Sequence, residues 1–343
     1  MKLGIFIDYA GGFKASAARV ADYERAGLDV AWVAEAYGYD GPSFMGYLAA
    51  STESITIGSA ILPIYTRTPT LLGMTAAGLD ALTDGRFMLG LGASGPQVVE
   101  GFHGVRYDAP IGRTREIVEI CRQVWRRERV EHDGRYYQLP LPADQGTGLG
   151  KPLKIITHPV RAQIPVWLAA LGPKNVQLAA EIAEGWLPFL FMPDRARDVW
   201  GADLDTGTAL RSPELGPLEI AAGGLVAIGD DKADVAEQAR PMVALYVGGM
   251  GARGKNFYND LMVRYGYEAE ATLIQDLYLD GKKDEAAAAV PDEFLRLSNL
   301  CGPEGFVKER LAAFKEAGVT VLNITPVGGD ELATIEKLKG WID

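Results

Sequence analysis

The sequence is poor in the residues that build metal centres and disulfide frameworks. It has two cysteines, Cys121 and Cys301, and three histidines. Two cysteines do not staple a fold, and with no recognisable export signal a reducing cytoplasm is the expected compartment. No paired Cys/His spacing of the zinc-binding kind is present, so no metal is expected. Long apolar runs are missing too. Every window of bilayer-spanning length carries charge or glycine, so no membrane partner is expected. The opening "MKLGIFIDYAGG" has one lysine and a short apolar run, and reads as a first strand, not as a cleaved leader. Basic residues are outnumbered, 34 Lys+Arg against 45 Asp+Glu, giving a net charge of -11. A surface of that sign repels phosphate backbones and excludes nucleic acid as a partner. An anionic ligand must then be gripped locally, by a few cations and backbone N–H groups.

What is present is alternation. Short apolar runs near residues 3–7, 30–34, 55–61, 87–91, 166–170, 186–191, 218–228 and 319–325 read as strands, separated by stretches of helical periodicity. One such stretch places Ile117, Ile120, Cys121 and Val124 on a single face, which assigns Cys121 to the core. Repeated β–α alternation predicts a parallel sheet covered by helices, and eight units over 343 residues fit a closed (β/α)8 TIM barrel. The chain reads as one domain, residues 1–343, with insertions after strands 4 and 7. The first, residues 129–164, combines a hairpin at Asp133-Gly134 with a Pro- and Gly-rich loop. The second, residues 248–300, reads as a helical excursion. In such a barrel the loops that follow the strands carry function.

"LGLGASGPQ" formally matches the dinucleotide fingerprint at Gly90, Gly92 and Gly95. Three β–α units precede it, whereas that fingerprint opens its own unit, so the context argues against a Rossmann reading. The glycines instead signal close approach of backbone to something at this strand end.

Two further places draw attention. In "PVWLAALGPKNVQLAAEIAEGW" an apolar strand hands over to a helix through residues 172–175, a short, glycine-led, cationic turn. Free N–H groups and the dipole at such a helix start favour an anion, and Lys174 adds charge. An ordinary helix start with a solvated lysine is the competing reading. Glu35 directly ends the second strand, with Tyr37 and Asp40 following in the same loop. A partly buried acid there either serves as a proton donor or caps a helix and pairs with a cation. His103, in "EGFHG", is a second proton-exchange candidate, although loop histidines are more often structural.

Six segments in chain order resemble the bacterial-luciferase-like superfamily, and within it the branch of coenzyme F-420-dependent oxidoreductases: "GLDVAWVAEAYGYD", "ITIGSAILPIYTRTP", "LTDGRFMLGLGASGPQVVEGFHG", "LPLPADQGTGLGKPLK", "PVWLAALGPKNVQLAAEIAEGWLP" and "GGMGARGKNFYNDL". The resemblance implies a luciferase-like TIM barrel with a deazaflavin, or alternatively FMN, across its C-terminal end. It implies a bulge with a non-proline cis peptide behind the ring, at the Ser59-Ala60 or the Ala60-Ile61 bond, which brings in Ser59, Ala60 and Ile61. Ala93, Ser94 and Gly95 would flank the ring beside Tyr37. Ala170, Leu171, Gly172, Pro173, Lys174 and Asn175 would hold the phosphate, and Arg253, beside Lys255 and Asn256, would meet a polyanionic tail. Relatives carry a histidine next to the acid after strand 2 and an acid after strand 4. This chain has Ala36 at the first place and Ser94, Gly95 and Gln97 at the second. The implied activity is hydride transfer between a deazaflavin and a small organic substrate: a carbonyl, an alcohol or an activated alkene. The competing functions are an FMN-dependent monooxygenase on the same barrel and a non-catalytic flavin-binding protein. A homodimer is implied by the same resemblance.

Overall fold

Alternation of large and very small residues along each strand sets the barrel's two faces. In a computed structural model, which describes residues 1–8 and 12–342, β1 runs Lys2–Ile7. It is followed by β2 (Val30–Val33), β3 (Thr56–Ser59), β4 (Phe87–Gly92), β5 (Val166–Ala169), β6 (Gly185–Leu187), β7 (Glu219–Ile228) and β8 (Val321–Pro326). Each pairs in parallel with the next, and β8 returns to β1 with Lys2 opposite Val321, so the barrel is closed. Leu3, Ile5 and Ile7 face outward and are buried under helices. The inward set is separate: Val30, Trp32, Met88, Trp167, Leu187, Ala221 and Val321 fill the lower barrel. Two indoles dominate this plug, Trp32 and Trp167, edge to face at 5.2 Å. Room for them comes from missing side chains. A Cβ on Gly58 would lie 2.3 Å from the Trp32 ring.

Helix starts follow local chemistry. Thr68 caps helix Pro69–Leu82 by accepting the Leu71 N–H, with proline at its first turn. That helix packs on Pro110–Trp125, whose Ile117, Ile120, Cys121 and Val124 are buried, and Trp125 Nε1 donates to the Gly73 carbonyl at 3.0 Å. The strand read at residues 186–191 is shorter than expected. Pro188 has no N–H for the ladder, and the chain leaves the barrel there. The helix read at residues 232–245 is instead a 3-10 turn (Ala233–Ala239), an α-helix (Arg240–Ala244) and a π-turn (Leu245–Gly249), with Pro241 in the first turn of the α piece.

Residues 132–139 form the hairpin, His132–Asp133 against Gln138–Leu139. Its turn hangs on Glu116, whose carboxylate accepts the N–H groups of Arg135, Tyr136 and Tyr137. After β7 come helices Phe257–Arg264, Glu268–Leu279, Lys283–Ala288 and Asp292–Ser298. A three-residue strand, Leu300–Gly302, then lies beside the end of β7. It is too short to carry a periodic signal, and sequence reasoning missed it.

Candidate active site

The upper ends of the strands leave the barrel open. Phe6 occupies an inward position of β1 and is nevertheless 45% exposed. Around it the inward positions above the indoles carry small side chains. Ala34 sits two residues past Trp32 and Ala169 two past Trp167, on the same face. Ala60, Ile61 and Ala169 rest on the indole plug. The Ala60-Ile61 bond is cis, one of the two bonds anticipated. Ser59 itself is fully buried, and its hydroxyl both accepts from the Gly90 N–H (2.8 Å) and donates to the Gly90 carbonyl (2.9 Å). A Cβ on Gly90 would fall 1.7 Å from the Ser59 carbonyl oxygen. The glycine at 90 therefore serves β3–β4 contact, and no dinucleotide loop forms. Ala93, half-buried, and Ser94, exposed, continue from β4, with Ser94 in the left-handed region at φ 58. Gly95 then starts the short helix Pro96–Gly101.

Glu35 does not stand free in the mouth. Arg67 grips it with both ends, Nη1–Oε1 at 2.6 Å and Nη2–Oε2 at 2.8 Å, and the Gly41 N–H donates to it at 2.8 Å. Arg67 also reaches Asp40 at 2.7 Å, and Asp40 caps helix Gly41–Ser51 through the Ser43 N–H. The structure shows the helix-capping, salt-bridged carboxylate of the two sequence readings. Arg67 is the residue that sequence reasoning missed here. The hydrogen bond that Arg67 donates to Glu35 holds its guanidinium above the usual arginine value, ahead of burial, which lowers it. Asp40 is held below the ordinary carboxylate value: burial pushes it up, and the bonds from Ser43 and Arg67 outweigh that.

Loops after β2 and β4 meet over the opening. The Tyr37 and Phe102 rings stand 6.2 Å apart, and Phe102 packs edge-on against His103 at 5.1 Å. Tyr37 and Phe102 are 67% and 65% exposed, an unusual surface position for two facing rings. His103 is half-buried beside them.

Next to β4 around the rim, β5 passes through Ala170 and Leu171 into helix Pro173–Ile182. Both carbonyls are pinned. Trp186 Nε1 donates to Ala170 at 2.9 Å, while Trp200 Nε1 and Arg264 Nη1 each donate to Leu171 at 3.1 Å. The Val176 N–H closes the first turn on the Gly172 carbonyl at 3.0 Å, and the N–H groups ahead of it have no partner within the helix. Gly172 offers no side chain to cap them, and a Cβ there would meet nothing within 4 Å. Pro173 and Lys174 are exposed, Asn175 half-buried, and Lys174 Nζ touches Gln177 at 3.2 Å. Neither Trp200 nor Arg264 was foreseen, since nothing in their local pattern ties them to residue 171.

Arg253 is placed differently from this rim group: its guanidinium pairs with Asp276 at 2.9 Å, both largely exposed. Asn256 is buried and structural. It caps helix Phe257–Arg264 and donates to the Tyr246 and Val247 carbonyls. Of the aromatic residues near strand ends, Trp186 and Phe191 are core, Phe257 is exposed, and Phe189 lines a cavity of ≈ 130 Å³ beside Phe6. Among the described residues no group of three or more His, Cys, Asp or Glu could hold a metal ion, and no helix is long and apolar enough to cross a membrane.

Comparisons with known proteins bear on the family and the fold. The family described as luciferase-like monooxygenase matches residues 1–321. A Mycobacterium tuberculosis protein named as a coenzyme F-420-dependent oxidoreductase is 42% identical over 98% of this chain and 99% of its own. A 5,10-methylenetetrahydromethanopterin reductase of Archaeoglobus fulgidus is 27% identical over 91% of this chain and 90% of its own. Among solved structures, the coenzyme F-420-dependent tetrahydromethanopterin reductase of Methanopyrus kandleri superposes with a TM-score of 0.80 at 22% identity, covering 98% of this chain and 97% of that one, and so shares the fold. The chain belongs to the luciferase-like monooxygenase family, in its branch of coenzyme F-420-dependent oxidoreductases.

Proposed function

We propose that this protein binds coenzyme F-420 across the barrel mouth and moves a hydride between it and a small organic carbonyl, alcohol or activated alkene. The observation that carries the reading is the 42% identity, over nearly the whole of both chains, to a protein named as a coenzyme F-420-dependent oxidoreductase. The site's own geometry fits such a group. A flat ring needs a floor without bulky side chains, and Ala34, Ala60 and Ala169 supply one. An anionic tail needs unpaired donors, and the helix start at Gly172, open in space and followed by Lys174, supplies them.

Bound there, the deazaflavin supplies two-electron hydride chemistry, and the protein supplies position, dryness and a proton. Ser59 fixes the bulge against β4, so that Ala60 and Ile61 can back the ring. Ala93, Ser94 and Gly95 border it. Ala170 and Leu171, pinned by two indoles and Arg264, aim the N–H groups of Gly172, Lys174 and Asn175 at phosphate, with Pro173 setting the turn. Tyr37 and Phe102 roof the opening and exclude water. Arg253, apart from this rim and paired with Asp276, would meet an acidic tail only by exchanging that partner. His103, beside that roof, exchanges the proton, and Glu35 acts through Arg67 to hold the loop that carries Tyr37. A His103→Gln variant is expected to lose turnover at least about a hundred-fold, the lower end for one general acid–base group, with cofactor affinity unchanged. Two buried, reduced thiols suit a cytoplasmic protein. Exposed Tyr47, Leu71, Met74 and Leu82, on helices Gly41–Ser51 and Pro69–Leu82, supply an apolar face for pairing two copies.

The test is a parallel titration of the protein with oxidised deazaflavin and with FMN, read by fluorescence. Tight deazaflavin binding with weak FMN binding is expected. The reverse order would transfer the site to a flavin monooxygenase.

A further inference from the structure

The barrel wall has an opening between β6 and β7. β6 pairs with β7 only at Glu219 and Ile220, and the strand Leu300–Gly302 takes the same edge from Val226 onward. Between them that edge is met by a side chain: Asn299 Oδ1 accepts the Leu225 N–H at 2.8 Å. A cavity of ≈ 130 Å³ runs through this gap, from Phe6 and Asn323 inside the barrel to Val243 and Phe294 on the helices outside. Its walls are chiefly apolar, and its volume approaches that of an engineered apolar cavity known to hold benzene.

One polar group in it lacks a partner. Asn323 is only 6% exposed, and its Oδ1 accepts the Trp32 Nε1–H at 2.9 Å. An indole can only donate, which settles the orientation of the amide and turns Nδ2 away from Trp32. Among the described residues, Nδ2 donates to nothing. Nδ2 borders the cavity without a protein acceptor, so it can donate to an oxygen that enters there.

We propose that this gap is a substrate pocket, taking the apolar arm of a ketone, or of the matching secondary alcohol, with the substrate oxygen accepting from Asn323 Nδ2. The proposal rests on the hydride-transfer reading for its chemistry and names the substrate class that reading leaves open. Phe189 and Leu225 would flank the arm, and its length is capped by Phe294 at the far end.

Acetophenone and ethylbenzene, alike in shape but differing in the carbonyl, are titrated calorimetrically into the full chain saturated with oxidised deazaflavin, which allows no turnover of either. Both are expected to bind, acetophenone the tighter. Asn323→Asp keeps an acceptor for Trp32 while removing the donor, and should weaken acetophenone about ten-fold, the scale of one buried hydrogen bond, and leave ethylbenzene within about two-fold. Val243→Phe fills the cavity and should abolish both. Equal losses for both probes in Asn323→Asp, or unchanged binding in Val243→Phe, would overturn the proposal. Deazaflavin affinity is measured in the same samples. Probe binding without cofactor binding would sink the hydride-transfer reading and leave the pocket standing.

Discussion

Arg67 ties two acids, and its side chain is 12% exposed against 9% for Glu35. At that burial the pair behaves as an interior one, and removing one member strands the other. Arg67→Ala is therefore expected to destabilise by about 3 kcal/mol, seen as a lower melting temperature. Asp40 adds a pH signature. A carboxylate held below its ordinary value stabilises the fold above that value and loses the contribution as pH falls from it through the lower folded value. The gap between wild type and Arg67→Ala should thus narrow below about pH 4. The cysteines behave oppositely. Burial pushes the Cys121 thiol up to about 12 and the Cys301 thiol up to about 11. Raised thiols stay protonated in the fold; their contribution is complete below the ordinary thiol value and is lost as pH climbs to the folded ones. Native protein should therefore give no reaction with a disulfide reagent at about pH 8, and should titrate both thiols once denatured. Single-residue roles were the least legible from sequence. Glu35 was found because it ends a strand, but its partner lies 32 positions away in another loop, and no local spacing announces such a pair.

Among the elements, the hairpin after helix Pro110–Trp125 depends on one side chain. Glu116 accepts three successive N–H groups of its turn and lies 3.3 Å from His132 Nε2. Glu116→Ala should release that turn without opening the barrel. Limited proteolysis would then cut within residues 129–164 well before wild type, with the far-UV spectrum unchanged. Elements whose signal is local were readable in advance. Asp133-Gly134 marked the hairpin, and the glycine-led turn at residues 172–175 marked a helix start. Where the outcome depended on packing, reading failed. β6 stops at Pro188 although apolar residues continue to Phe191. Of the helix expected at residues 232–245 only Arg240–Ala244 is α-helical, with Pro241 in its first turn, and Leu300–Gly302 becomes a strand only because the edge of β7 is vacant there.

At the scale of the whole molecule, closure of the barrel was legible because eight strand segments recur with helical spacers, and only a closed parallel sheet hides all of them. How the barrel is filled was not. Trp32 and Trp167 meet across it from residues far apart in sequence, and the glycines that admit them carry no periodic signal. The close passage of β3 and β4 is part of this closure. Gly90→Ala would drive a methyl group into the Ser59 carbonyl, and a loss above about 4 kcal/mol, seen as failure to accumulate folded protein, is expected. Gly172 is the contrasting case, because its surroundings are empty and its backbone is extended. Gly172→Leu combined with Lys174→Glu should leave the melting temperature unchanged while blocking the anion's approach and reversing a charge. Fluorescence titration of this double variant with oxidised deazaflavin should show affinity reduced about ten-fold or more. Unchanged affinity in a fully folded variant would contradict the placement of the cofactor phosphate at this helix, and with it the account of the site.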